Sequence, residues 1–173
     1  MRRVKIGSDD LTNTDLLIAA ARTKLPLILS TGMASMLEIR KVDHFVSRAA
    51  HPNCDITFLH CISLYPCPPE LANLQAIKTM RDLAFPTGYS DHTGTALACI
   101  MAATLGASII EAHMMLDDDC VDAKVSLSVE EFTRMVAAVR KVEVMLGSGI
   151  KEPSERELAQ ARLLRKGPDG LRP

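Results

Sequence analysis

The sequence predicts an α/β fold made of repeated strand–helix units. Short apolar segments, each followed by a helix-like pattern, recur along the 173 residues and start at Val4, Leu27, Ile56, Thr87 and Ser108, which gives spacings of 23, 29, 31 and 21 residues. Buried parallel strands that alternate with helices produce this pattern. Polar side chains follow each apolar segment, as they do at the carboxyl-terminal face of a barrel.

The segments predicted as strands are short, apolar and bounded by turn or polar residues. They are 3–8 (RVKIGS), 26–32 (PLILSTG), 55–63 (DITFLHCIS), 85–91 (FPTGYSD) and 107–114 (ASIIEAHM). Since a helical pattern follows them, neighbouring strands are expected to run parallel, with their polar ends on one rim.

Helix signals follow three of these strands. Residues 12–23 begin with a Thr/Asn cap and an acidic first turn, and residues 35–50 carry an apolar stripe. Residues 96–106 are apolar all round, which predicts a well-buried helix closed by Gly106.

The clearest helix spans residues 128–147, where Ser128 and Glu131 form a capping-box pattern. The sequence beyond it is charged and interrupted by Pro and Gly, with room for at most one short helix. We therefore predict a partial barrel domain over residues 1–147 and a tail over residues 148–173.

Composition argues against several classes of function. A net charge of −1 and a pI near 6.5 give no electrostatic footprint for nucleic acid or an anionic membrane surface. No segment has the length of a membrane span or the apolar core of a signal peptide, so a cytoplasmic location is expected. The chain has five cysteines, an odd number, and they are expected to be structural thiols in a reducing compartment. They are Cys54, Cys61, Cys67, Cys99 and Cys120.

The polar residues at the strand ends predict an anion site. Lys5 lies in an otherwise apolar strand, where burying an ammonium group is costly unless an anion faces it. Hydroxyl groups follow on neighbouring segments at Ser8, Ser30 and Ser90. Together these four side chains are predicted to bind a phosphate or a carboxylate.

Two histidines at the ends of adjacent strands predict a metal site. His92 and His113 are accompanied by nearby carboxylates, and imidazole ligands suit a borderline divalent ion such as manganese, zinc or iron. A single histidine would more often be a core or loop residue. That structural interpretation is preferred for His60, which lies within a strand.

Five ordered motifs resemble the sialic acid synthase family, whose members make N-acetylneuraminic acid and the related legionaminic and pseudaminic acids. The motifs extend over residues 3–147 at near-family spacing: KIGSDDLTN, PLILSTGM, LHCISLYPCPPELANL, GYSDHTGTALACIMAATLGASIIEAH and SLSVEEFTRMV. The resemblance implies a TIM (β/α)8-type barrel, here incomplete, with about five βα units that correspond to strands 4–8.

The resemblance also implies an enzyme that forms a carbon–carbon bond. It would condense phosphoenolpyruvate with N-acetylmannosamine, or a related N-acyl hexosamine, and release phosphate with the help of a divalent metal, usually Mn2+. The expected partners are these small molecules and further copies of the chain in a homo-oligomer, with no role for nucleic acid or a membrane.

By the same resemblance, each candidate site residue has an expected role. Substrate-binding positions of the family match Lys5, Ser8, Ser30, Ser63 and Ser90. The metal ligands match His92 and His113. Catalytic or sugar-side positions match Asp10, Tyr65 and Asp122.

The chain also departs from the family pattern. It begins at what would be the fourth barrel strand, and the family's antifreeze-like C-terminal domain has no counterpart in it. Two other functions therefore remain open: an inactive barrel fragment that acts only as an association module, and a different phosphoenolpyruvate-condensing or metal aldolase reaction on the same fold.

Overall fold

A parallel sheet of six strands forms the centre of the protein, with each strand paired to the next along the chain. The computed structural model describes residues 2–50, 55–82 and 85–167. The strands are β1 (Val4–Ile6), β2 (Leu27–Ser30), β3 (Ile56–His60), β4 (Thr87–Asp91), β5 (Ile110–Met115) and β6 (Ser126–Ser128). The helices are α1 (Thr14–Arg22), α2 (Met36–Ala49), α3 (Gln75–Asp82), α4 (Ala96–Thr104), α5 (Val129–Leu146) and α6 (Glu155–Leu164).

The α/β architecture and its parallel strands are confirmed, but the strand count differs from the prediction. The sequence predicted about five units, whereas a sixth strand, β6, pairs with β5 and places Ser126 opposite His113. This strand has only three residues and leads directly into the capping box of α5, so it has no apolar run of its own. The correspondence with barrel strands 4–8 stays a prediction.

Local capping explains where the predicted helices begin. The Asn13 side chain accepts a hydrogen bond from the backbone N–H of Leu16 at the start of α1. At α5, the Ser128 hydroxyl accepts from the N–H of Glu131 and the Glu131 carboxylate accepts from the N–H of Ser128, so the predicted capping box is present.

Helix α4 differs from its prediction, because it is not buried on all sides. Leu97 is 64% exposed and Met101 is 45% exposed. The helix buries only a narrow face of small residues, Ala98, Cys99, Ala102 and Ala103, against the sheet and α5. The predicted stop is confirmed by Gly106, which has a φ of +89°.

The outer face of the sheet packs against the helices, and the inner face carries several polar side chains. Ile6, Leu29 and Phe58 pack with α1 and α2 in one apolar cluster, and Tyr89 packs against α4 in another. Because neighbouring side chains of a strand point to opposite faces, the residues between them face the inner, concave side. Polar side chains from four strands therefore lie on that side: Lys5, Ser30, Ser90 and Glu111.

Within residues 148–167, the described part of the C-terminal segment, the structure has one short helix, in keeping with the sequence. Helix α6 buries none of its residues, and the proposed division at residue 147 stays a prediction. None of the helices among the described residues combines the length and apolarity needed to cross a membrane.

Candidate functional site

Lys5 and Ser90 meet at one carboxylate. Lys5 Nζ lies 3.3 Å from Glu111 Oε1, and Ser90 Oγ donates a hydrogen bond to the same oxygen at 2.8 Å. Lys5 is on β1 and Glu111 on β5, four strands away, so the contact crosses the concave face. The sheet is therefore curved enough to bring its first and fifth strands within the reach of a lysine side chain.

A second polar cluster lies between β1, β2 and β3. Ser8 Oγ accepts the backbone N–H of Gly32 at 3.0 Å and lies 3.2 Å from Cys61 Sγ. A methyl group at Gly32 would overlap Ser63 Oγ and lie 2.8 Å from Ser8 Oγ, which shows how tightly these groups surround the glycine. The structure thus brings together Ser8 and Ser63, two of the predicted substrate-binding residues.

Ser30 lies on the strand between these groups. It is 3% exposed, and its neighbour Leu29 packs in the outer core, so the Ser30 side chain faces the inner side. All five predicted substrate-binding residues therefore belong to the inner face or to the loops that leave its carboxyl-terminal ends.

His92 is held in a defined orientation directly after β4. Its Nδ1 lies 2.6 Å from the carbonyl oxygen of Ile62, and its own carbonyl accepts the N–H of Cys67 at 2.7 Å. A carbonyl oxygen can only accept, so Nδ1 carries the proton. The other ring nitrogen, Nε2, is then the one available as a ligand.

A carboxylate lies near the ring of His113. Its Nδ1 lies 3.4 Å from Asp122 Oδ2, and its ring centroid is 5.4 Å from that of His92. A metal-bound histidine commonly has its second nitrogen held by a carboxylate or a carbonyl, which fixes the ring and the tautomer. The structure therefore brings the two predicted metal ligands together and places Asp122, which the resemblance assigned to the sugar side, next to His113.

Tyr65 lies against both imidazoles. Its ring centroid is 4.1 Å from that of His92 and 5.8 Å from that of His113, with an edge-on arrangement at the latter. Partial burial raises the pKa of the Tyr65 hydroxyl, with smaller contributions from Cys61, Asp122, Glu111 and Asp9. The hydroxyl thus stays protonated at the mouth of the site.

The donor set fits a borderline divalent ion. Two imidazoles lie close together; Nδ1 of His92 is hydrogen-bonded to a backbone carbonyl, and Nδ1 of His113 lies 3.4 Å from a carboxylate oxygen. Within residues 2–50, 55–82 and 85–167, no group of three His, Cys, Asp or Glu side chains has the geometry to hold a metal. An ion held by His92 and His113 would complete its shell with water or substrate oxygens, as catalytic sites with open positions do.

Asp10 occupies a different environment from the other predicted catalytic residues. Its carboxylate accepts a hydrogen bond from the side-chain amide of Asn13 at 3.1 Å, which ties it to the start of α1. The acid of this loop whose charge raises the pKa of Tyr65 is the preceding residue, Asp9. The catalytic role of Asp10 stays a prediction, and Asp9 is a second candidate in the same loop.

A network of buried hydrogen bonds holds the end of β4 on the outer side of the sheet. Asp91 is 1% exposed and accepts hydrogen bonds from Tyr89 at 2.9 Å and from Thr93 at 2.8 Å. Burial, reinforced by this carboxylate, raises the pKa of Tyr89 far above its usual range and that of Cys99 to about 12. The Tyr89 hydroxyl therefore stays protonated and, together with the Thr93 hydroxyl, donates to the Asp91 carboxylate next to His92.

The histidine and the cysteines that were predicted to be structural are buried or half-buried where the structure describes them. His60 is buried, and its Nε2 lies 2.9 Å from the carbonyl oxygen of Ala72. Burial lowers the His60 pKa, so the ring is neutral at pH 7. The described cysteines are free thiols, three of them buried (Cys61, Cys67 and Cys99) and one half-buried (Cys120), whereas Cys54 lies outside the described residues.

Glu111 and Gly32 are the site residues that sequence reasoning did not select. Glu111 received no role in the sequence analysis, although it lies two residues before His113 and hence on the same strand face. Residues two apart on a strand share a face, and this spacing could have placed Glu111 in the site. No comparable signal marks Gly32, because its contacts come from three separate segments.

These features define the class of protein: an α/β half-barrel with a cluster of polar side chains at the carboxyl-terminal ends of its strands. The NeuB family model matches residues 1–151, and the chain belongs to this family of sialic acid synthases.

Relatives and solved structures support this assignment. The chain is 38% identical to the N,N'-diacetyllegionaminic acid synthase of Legionella pneumophila over 96% of its own length and 48% of the relative's. It is 38% identical to a pseudaminic acid synthase of Campylobacter jejuni over 89% of its own length and 45% of the relative's. The N-acetylneuraminic acid synthetase of Leptospira borgpetersenii superposes with a TM-score of 0.84 and 34% identity, covering 95% of this chain and 59% of that one. The chain spans about half the length of the curated relatives it matches.

Proposed function

We propose that the chain provides the catalytic rim of a synthase that condenses phosphoenolpyruvate with N-acetylmannosamine or a related N-acyl hexosamine and releases phosphate. The observation that supports this most directly is the placement of a lysine, several hydroxyls and two oriented imidazoles on one concave face. Family membership supports the reaction class, because the relatives are synthases of sialic, legionaminic and pseudaminic acids.

The anionic substrate would bind between β1 and β4. Lys5 supplies the positive charge, and Ser8, Ser30, Ser63 and Ser90 supply hydroxyl donors around it. Hydrogen bonds between such groups and a phosphate or carboxylate are charge-assisted and stronger than neutral ones. This set would hold phosphoenolpyruvate with its enol carbon facing the histidines.

The sugar aldehyde would bind beside His92 and His113. The chemistry that a bound manganese ion supplies there is Lewis-acid polarisation of the carbonyl. The hydrogen bond to the carbonyl of Ile62 orients His92, and the Asp122 carboxylate lies 3.4 Å from Nδ1 of His113. Tyr65 covers both rings and would contact the sugar, and an acid of the 9–10 loop would bind a sugar hydroxyl.

The condensation would form one carbon–carbon bond and release one phosphate. C3 of phosphoenolpyruvate forms a bond to the aldehyde carbon, whose oxygen takes up a proton. Water adds at C2, and phosphate leaves from the same carbon. The protein's contribution would be to align the two substrates and to stabilise the developing charge.

The test combines binding and turnover. Calorimetry with manganese and with phosphoenolpyruvate should show saturable binding to the wild type, and Lys5→Met should remove the phosphoenolpyruvate signal. Phosphate release with a panel of N-acyl hexosamines, and the mass of each product, would then identify the sugar. Failure to bind either manganese or phosphoenolpyruvate would refute the proposal.

A second candidate is an association module without turnover. It is favoured by the sheet itself, because β1 and β6 each have one strand neighbour among the described residues and leave an edge unpaired. In this case the chain would pair with another chain and would release no phosphate from phosphoenolpyruvate and N-acetylmannosamine, even with metal present.

A further inference from the structure

We infer that Glu111 is an internal counter-ion that occupies the anion site when substrate is absent and must give up its contacts for an anion to bind. The inference rests on the proposed function, since it concerns the same site. It adds a residue that sets the strength of anion binding by competing for the groups that the anion needs.

The contacts of Glu111 carry the inference. One oxygen, Oε1, lies 3.3 Å from Lys5 Nζ and accepts the Ser90 hydroxyl at 2.8 Å. These two groups are the ammonium and one of the hydroxyls assigned to the substrate anion. A carboxylate of the protein thus already makes contacts that a phosphate or carboxylate ligand would make.

The ligand cannot share these contacts without cost. Ser90 has a single hydroxyl proton, which is donated to Glu111 in this arrangement. An anion beside Lys5 would also lie next to the Glu111 carboxylate, and like charges at short distance repel. Glu111 must therefore turn away, or the bound anion must accept a neighbouring negative charge.

The exposure of the ion pair makes such a displacement feasible. The Lys5 side chain is 34% exposed and that of Glu111 is 41% exposed, so both groups remain in contact with water. Ion pairs of this kind are weak, because water screens them and the paired side chains lose mobility. The pair would tune anion affinity without closing the site.

The experiment compares Glu111→Gln with the wild type. The amide keeps the size of the side chain and can still accept from Ser90, but it removes the competing charge. We expect inorganic phosphate and phosphoenolpyruvate, each titrated by calorimetry without metal, to bind about threefold to tenfold more tightly to the variant. Glu130→Gln is the matched control, because it removes the same charge from an exposed pair with Arg134 on α5.

The outcomes separate this inference from the proposed function. Tighter binding to Glu111→Gln, with unchanged binding to Glu130→Gln, supports the counter-ion. Equal or weaker binding to Glu111→Gln, with clear binding to the wild type, overturns the counter-ion and leaves the proposed function standing. Absence of binding to both proteins, with melting curves that show both are folded, overturns the anion site and the counter-ion together.

Discussion

Replacing Gly32 by alanine should disable the anion site more than it destabilises the fold. The added methyl group would overlap Ser63 Oγ, and it would lie 2.8 Å from Ser8 Oγ, where ordinary contacts begin at 3.4 Å. Both hydroxyls must therefore turn away. Overfilling a packed region costs about 1–3 kcal/mol, and rotation of two small side chains places this change near the lower end.

The effect on binding follows from the hydroxyls that are lost. If each contributes about 1 kcal/mol to holding the anion, the loss of two corresponds to about 2 kcal/mol, or roughly a 30-fold weaker affinity. Titration calorimetry with phosphoenolpyruvate measures the affinity, and a thermal melt measures stability.

Gly149→Ala is the control, since a methyl group there would meet nothing within 4 Å, although its φ of +76° adds backbone strain. Anion affinity that is unchanged in Gly32→Ala would refute the assignment of Ser8 and Ser63 to the anion.

Three further predictions concern the metal ligands, the buried support and the sheet edges. Asp122→Asn should weaken manganese binding about tenfold to a hundredfold, because it removes the negative charge beside Nδ1 of His113; calorimetry would measure this against His44→Ala, whose imidazole is exposed on α2. Tyr89→Phe should lower the free energy of unfolding by about 2 kcal/mol, because it removes a hydroxyl donor from a buried carboxylate; a melting temperature equal to that of the wild type would contradict this. The edges of β1 and β6 that no described strand pairs with should cause concentration-dependent self-association; light scattering that shows a monomer at every concentration would exclude it.

Local patterns in the sequence predicted the elements whose causes are local. The capping box of α5 depends on Ser128 and Glu131, three residues apart, and the stop after α4 depends on Gly106 alone. The proximity of His92 and His113 was also predictable, because each directly follows one of the paired residues Asp91 and Ala112 on neighbouring parallel strands.

Contacts that depend on the curvature of the sheet could not be predicted in this way. Lys5 was expected to face an anion, but a partner on β5 is four strands distant in a flat sheet. The contact of Ser8 with Cys61 likewise joins segments 53 residues apart. The exposure of Leu97 was missed for a related reason, because an apolar composition does not reveal how much of a helix its neighbours will cover.

Successive side chains of β4 point alternately to the outer and the inner face of the sheet, so that stabilising residues and site residues alternate along the strand. Tyr89 and Asp91 point to the outer face, where they form a buried hydrogen bond, whereas Ser90 faces the inner side and hydrogen-bonds to Glu111. A shift of one residue in the pairing of this strand would exchange the two sets. It would place Ser90 in the apolar layer under α4 and remove its donor from the anion site. The outer-face contacts of Tyr89 and Asp91 therefore fix the register that the inner-face chemistry needs, and substitutions on the outer face should alter ligand affinity without touching the ligand.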